Sequence, residues 1–347
     1  RTPDATPLPP EPLQPFLERA AEARGREFRR PVRASLVPPE RVGERLEREL
    51  RRLLDPDVFA AQSALLEAIG LLPPGADLWG ELLELQGEAV AGYYAPLDDG
   101  LYVVARDPDA LTRSLADPLT GRILVHELGH ALQAQHARIM EIGLGLLEPD
   151  DLAFALSSLL EGDALFTEMR DAELQNGVPR PGAAAYAQVF ETDIRLGLPD
   201  VSPWLSAMFL SPYPAGYAWV ATRYEEAGLA GLDAAWLEPP LSSAAVLDPS
   251  RARPGRREVR APDLGPVGCE VAATNAYGMI GLGLWLGLSA EARVELPWRS
   301  DRAWTLDCET ARGWAWLVEL GSAADLETWL PRLHARAREV DPTATVA

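Results

Sequence analysis

Lysine is absent from these 347 residues, so all 32 basic side chains are arginine, which GC-rich coding explains. Basic residues are outnumbered by 52 acidic ones, and the net charge of −20 argues against nucleic acid or an anionic membrane as the main partner. No apolar run is long enough to read as a membrane span. The best candidate, Ala276 to Ala290, is short and glycine-rich, which predicts a buried helix. Cysteine occurs only at 269 and 308. The two are either a disulfide closing a loop of about 40 residues, worth roughly 3–4 kcal/mol, or two free buried thiols. On their own they make no metal site. Histidine is scarcer than its share, with four in the chain.

What is present is a large apolar complement, 47% of residues, enough for one large core or two ordinary ones. The chain opens on Arg1 with a proline every few residues to Phe16. That reads as an extended arm over residues 1–16, either of a mature exported chain whose signal sequence is gone or of a trimmed one. Helical periodicity then covers Pro39–Leu54, Pro56–Leu72 and about Leu78–Glu88. Ala91–Ala105 changes character, with two β-rich pieces flanking a hairpin turn at Asp98-Asp99-Gly100. Asp117 and Pro118 cap and start a helix expected to reach Ile142 and stop near Gly143. Asp150 or Asp151 starts the next, ending at Asn176-Gly177. Pro181–Ala235 reads as helix broken at "LPDVSP" and "SPYPAG". Glu238–Arg257, rich in proline, serine and arginine, is the best boundary between a body of residues 17–250 and a C-terminal α+β region, 251–347, which could pack as part of the same unit. The expected class is mainly α with a small β component.

Three of the four histidines fall in "ILVHELGHALQAQH", Ile123 to His136. On a helix, positions i and i+4 lie about 40° apart, so His126 and His130 can chelate one ion while Glu127 reaches a water on it. His136 is a poor third ligand. Six residues of continuous helix turn it about 240° away and about 9 Å along the axis. Patterns that use a histidine there break the helix at glycine first, whereas Gln133 stands in that place. Glu161 is the better candidate. In an antiparallel helical hairpin it reaches a similar depth to His130, and a glutamate in the apolar run "FALSSLLEGDALF" needs a partner. Two imidazoles, one carboxylate and an open position suit Zn²⁺, one per chain.

"HELGH" followed some 30 residues later by "EGDA" resembles the gluzincin, thermolysin-like branch of zincin metallopeptidases. The likeness is nearer to a group of exported bacterial proteins of that type whose substrates are poorly defined. It extends to "LLEAIGLLPPGADLWGEL", "AGYYAPLDDGLYVV" and "YPAGYAWV", and to "PWRSDRAW", which is expected to hold the fold. The resemblance implies a zincin-like fold, with a helical hairpin beside a short β-hairpin, His126, His130 and Glu161 as zinc ligands, and Glu127 as general base. Thermolysin-like members carry an aspartate four residues after the metal-binding glutamate, where this chain has Leu165. Glu168, about 20° from Glu161 around the helix, and Asp163, about 160° away and so fitting a structural role as well, are the carboxylates that could orient a histidine instead. The relatives also tend to carry Glu-Gln and His-Pro where this chain has "AAVLDP", which puts specificity or activity in question.

Hydrolysis needs an oxyanion donor, for which Tyr213 and Tyr217 are candidates, although each fits a packing role too. Gly92–Ala95 or Leu101–Val104 could pair with extended substrate, or the hairpin could be purely structural. The reading is an exported zinc peptidase acting on a peptide or protein, with no transmembrane segment, possible tethering through the arm, and no signal for oligomeric state. Against it stands a catalytically silent relative that binds peptide in the same groove.

Overall fold

Two small sheets and a body of packed helices make up the computed structural model, which describes residues 5–87, 91–137, 150–194, 199–249, 259, 268–309 and 312–345. The class is mainly α with a small β component. Strand β1 (Thr6–Leu8) leads to α1 (Gln14–Arg24), β2 (Arg33–Val37), α2 (Pro39–Leu53), α3 (Pro56–Ala68) and α4 (Leu78–Gly87). The hairpin β3 (Gly92–Ala95) and β4 (Gly100–Val104) turns at Asp98–Asp99, and Asp99 takes a positive φ of 49°. Next come α5 (Pro108–Leu115), α6 (Pro118–His136), α7 (Asp150–Asn176) and α8 (Ala183–Val189). After a π-helical turn at Phe190–Ile194 and another at Ser206–Leu210, α9 (Pro212–Leu237) bends at Ala227–Gly228. The chain closes with α10 (Ser243–Leu247), β5 (Cys269–Asn275), α11 (Gly278–Trp285), β6 (Trp298–Cys308), β7 (Arg312–Leu320) and α12 (Ala323–Val340).

The first sheet has the order β1-β2-β4-β3, with β2 and β4 parallel and the other pairs antiparallel. β4 is paired on both sides, so it offers no free edge; β3 is the edge strand, and it lies against α6. The second sheet, β5-β6-β7, is antiparallel, and Cys269 and Cys308 face each other in register and form a disulfide. The main core joins α3, α4, α7 and α9 to Tyr277, Ile280 and Ala303. Trp285 donates from its indole nitrogen to the Ile69 carbonyl at 2.7 Å. The C-terminal region therefore continues the same core. Asp301, in "PWRSDRAW", is the hub there. It accepts from the backbone of Tyr277 and Gly278 and from the indoles of Trp298 and Trp316.

Two expectations need correction. Residues 1–16 do not form a free arm throughout: Thr6–Leu8 pair with Ala34–Leu36, and Leu13 and Phe16 are buried. Prolines hid this because each still leaves a carbonyl and a side chain to pack. The helix carrying the histidines ends at His136, not Ile142, since Ala137 is extended (φ −118°, ψ 135°). Gln135 fixes that end by binding the backbone of Arg29 and Arg30, a tertiary contact no local pattern encodes. Residues 138–149, including the expected stop at Gly143, lie outside the described residues. The break expected at "SPYPAG" falls at Ser211, between the π-helical turn and α9, and Pro212 lies in the first turn of α9. Of the expected boundary, Ser243–Val246 is buried, and 250–258 lies outside the described residues. Among the described residues, no helix is long and apolar enough to cross a membrane.

Candidate metal centre

Helix α6 starts where Asp117 accepts from the Thr120 N–H at 3.0 Å and Pro118 supplies a fixed φ. Its faces serve two cores. Leu124, Val125 and Leu128 pack towards the first sheet, and Leu132 packs into the main core. His126, Glu127 and His130 lie along the seam. Gly129 lets α7 approach, because a Cβ there would stand 3.2 Å from Ala164 Cα. On α7, Gly162 does the same for α9, since a Cβ would fall 2.2 Å from the Gly216 backbone carbon. These two contacts bring Glu161 and Tyr213 to the histidines.

The nitrogens and a carboxylate oxygen of His126, His130 and Glu161 lie within 4.8 Å of one another, and the three can hold a metal ion. Glu161 Oε2 stands 3.3 Å from His126 Nε2 and 3.6 Å from His130 Nε2. That oxygen is buried and has no hydrogen-bond partner. Two donors at zinc-bond length and the tetrahedral angle stand about 3.3–3.4 Å apart, so the spacing fits. Charge fits as well. Glu127, Glu161 and Glu168 set three negative charges against Arg122, while Asp163 and Asp171 are paired with Arg24 and Arg19. With both imidazoles neutral, as metal binding requires, the balance is minus two, which a bound cation would offset.

Burial and charge act on each group. Burial lowers the His126 pKa, but Glu161 and Glu168 outweigh it and hold the ring well above the usual imidazole range. His130 is raised likewise, against burial, by Glu161. Glu161 is pulled far below the carboxylate range by His130 and His126 in spite of burial. Burial pushes Glu127 up, against the pull of both imidazoles. Glu127 Oε2 accepts from the Tyr94 N–H at 2.8 Å, so the edge strand holds one of its oxygens.

Of the second candidate set, Glu168 stands 3.6 Å from His126 Nδ1 and is itself bound by Arg122. Asp163 touches neither histidine. It accepts from Arg24, Gln133 and Trp236, and Gln133 in turn meets His130 Nδ1 at 2.9 Å. Tyr213 stacks on His126 with ring centroids 6.4 Å apart and planes 16° off parallel. Its hydroxyl faces Glu161, whose charge, with burial, holds it well above the phenol range. Tyr217 is not brought to the centre, because its hydroxyl donates to the Pro181 carbonyl at 2.7 Å inside the core. His136 is outside the ligand group and meets the Glu27 carbonyl at 2.8 Å.

Three participants escaped the sequence reading. Arg122 sits one turn before His126, a spacing that could have flagged it. Gln133 sits one turn after His130 and was weighed only as a missing glycine. The Tyr94 N–H is a backbone group, invisible to residue type. No family model, no curated protein and no solved structure matches the chain.

Proposed function

We propose that this chain is an exported zinc peptidase of the gluzincin type, hydrolysing peptide bonds in an extended substrate. The observation that carries the reading is the buried, unpartnered Glu161 oxygen between two imidazole nitrogens, with Glu127 beside them. His126, His130 and Glu161 would hold the ion, and zinc bound there supplies Lewis acidity towards a carbonyl and acidifies water. Glu127 takes the proton from the attacking water and passes it to the leaving amine. The Tyr213 hydroxyl, beside Glu161, donates to the oxyanion. Strand β3 aligns the substrate. The Ala91 carbonyl bonds to the Val104 N–H, and antiparallel alternation then turns the Gly92 and Tyr94 backbone groups outward. The Tyr94 N–H is taken by Glu127, which leaves the Gly92 N–H and both carbonyls for an extended peptide. The disulfide accords with an oxidising compartment.

A groove that only binds peptide would have no use for Glu127. The departure behind that alternative, "AAVLDP", falls at a helix whose Ala245 carbonyl accepts from Trp219 in the core. The test is cleavage of a quenched peptide library by wild type and Glu127→Ala, with zinc measured in both. Loss of about 10²–10⁴-fold in the variant, at about one zinc per chain, is expected. Zinc-loaded wild type that cleaves nothing would leave peptide binding as the function.

A further inference from the structure

We infer that Gln133 is a positioning residue for the metal centre: its side-chain oxygen fixes His130 in the tautomer that presents Nε2 to a divalent cation. The inference rests on the metal-site reading above and deepens it. Gln133 is fully buried on the face of α6 turned towards α7. Its Nε2 lies 2.9 Å from the Leu160 carbonyl and 3.1 Å from Asp163 Oδ2. A backbone carbonyl can only accept, so the amide nitrogen must be the atom that faces it. The amide oxygen is then the atom 2.9 Å from His130 Nδ1, and an amide oxygen can only accept. Nδ1 therefore carries the hydrogen, and the lone pair of the neutral ring is at Nε2, on the side of Glu161.

The amide cannot flip without setting two acceptors against each other. What holds its partner is unusually well buried. Asp163 accepts at 2.9 Å from the Nε of Arg24, which is itself buried, and at 3.2 Å from the Trp236 indole. The Arg24 guanidinium lies 3.9 Å from the centroid of that same ring. Three helices besides α6 thus converge on one side-chain amide: α7 through Leu160 and Asp163, α1 through Arg24 and α9 through Trp236. The place where the three-histidine pattern has a helix-breaking glycine is here filled by the group that orients the second histidine. His126 has a different holder, the Glu168 carboxylate.

The test compares two variants by zinc affinity, measured against a chromophoric chelator, with folding followed by circular dichroism. Gln133→Met keeps the volume and removes both the acceptor and the donors. Gln135→Met removes another buried amide of the same helix, one that binds only the Arg29 and Arg30 backbone. Zinc affinity is expected to fall about 10–100-fold in Gln133→Met and to stay within about threefold of wild type in Gln135→Met. Equal affinity in Gln133→Met, or an equal loss in Gln135→Met, overturns the inference. If Gln133→Met does not fold, nitrogen NMR of the His130 ring in zinc-loaded wild type decides: a hydrogen on Nδ1 supports the inference and a hydrogen on Nε2 overturns it. Wild type that takes up no zinc would sink the metal-site reading, and this inference with it.

Discussion

Tyr213 and Tyr217 are one turn apart on α9, and helical phase alone does not choose between them. Their hydroxyls do. One faces Glu161 and the other is spent on the Pro181 carbonyl. Tyr213→Phe should therefore lower kcat by about 10²–10³-fold, the usual cost of one oxyanion donor, with KM and zinc content nearly unchanged. Tyr217→Phe should leave kcat alone and cost about 1 kcal/mol of stability for the lost hydrogen bond. Steady-state kinetics and urea melts on both variants decide this, and equal kcat values would remove Tyr213 from the chemistry. The grouping of His126, His130 and Glu161 was legible in the sequence because i,i+4 spacing and hairpin depth follow from helix geometry. Tyr217 was not separable from Tyr213, and Asp163 was not separable from a direct histidine partner, because both depend on what another segment brings. Gln133 carried a readable signal, an amide one turn past a candidate ligand on the buried face of a helix.

At the scale of elements, the site is set by how closely three helices approach. α6 meets α7 at Gly129 and Ala164, and α7 meets α9 at Gly162 and Gly216, where a Cβ on Gly216 would stand 1.8 Å from the Ser158 carbonyl oxygen. Backbone cannot yield as a side chain does, so Gly216→Ala should destabilise by about 3 kcal/mol, the upper end of ordinary overpacking. Gly182→Ala, with nothing near its Cβ, should change stability little. Urea denaturation measures both, and a neutral Gly216→Ala would mean that α9 is not held at backbone contact. Several helices were legible, as where Asp117 caps α6 and Pro118 opens it, but α5, capped by Asp107 and opened by Pro108, was not expected. Their ends were less so. α6 stops at His136 because Gln135 binds a distant strand approach, and β1 pairs with β2 despite its prolines. Which hairpin strand is the sheet edge also lay beyond local pattern, because β2, which covers β4, comes more than 60 residues earlier.

Across the whole molecule, the centre sits where two cores share a helix. α6 gives Leu124, Val125 and Leu128 to the core under the first sheet and Leu132 to the main one. α1 ties the same region together, with Arg19 on Asp171 and Arg24 on Asp163. An ion held by α6 and α7 would bridge that seam, while the disulfide-linked sheet β5-β6-β7 draws its support from Asp301 and the tryptophans around it. Free zinc at 1,000 times Kd stabilises a folded site by about 4.1 kcal/mol, or roughly 6 °C in Tm for a chain this long. Chelation should therefore lower Tm by about that much, and hydrogen exchange should show where. Protection should fall in α6 and α7 and persist in β6 and β7. A uniform loss would mean that the metal holds the whole fold, as in a structural site. No loss in either region, with zinc shown to leave, would mean that the seam is closed by its side chains alone and that the ion's role is confined to chemistry.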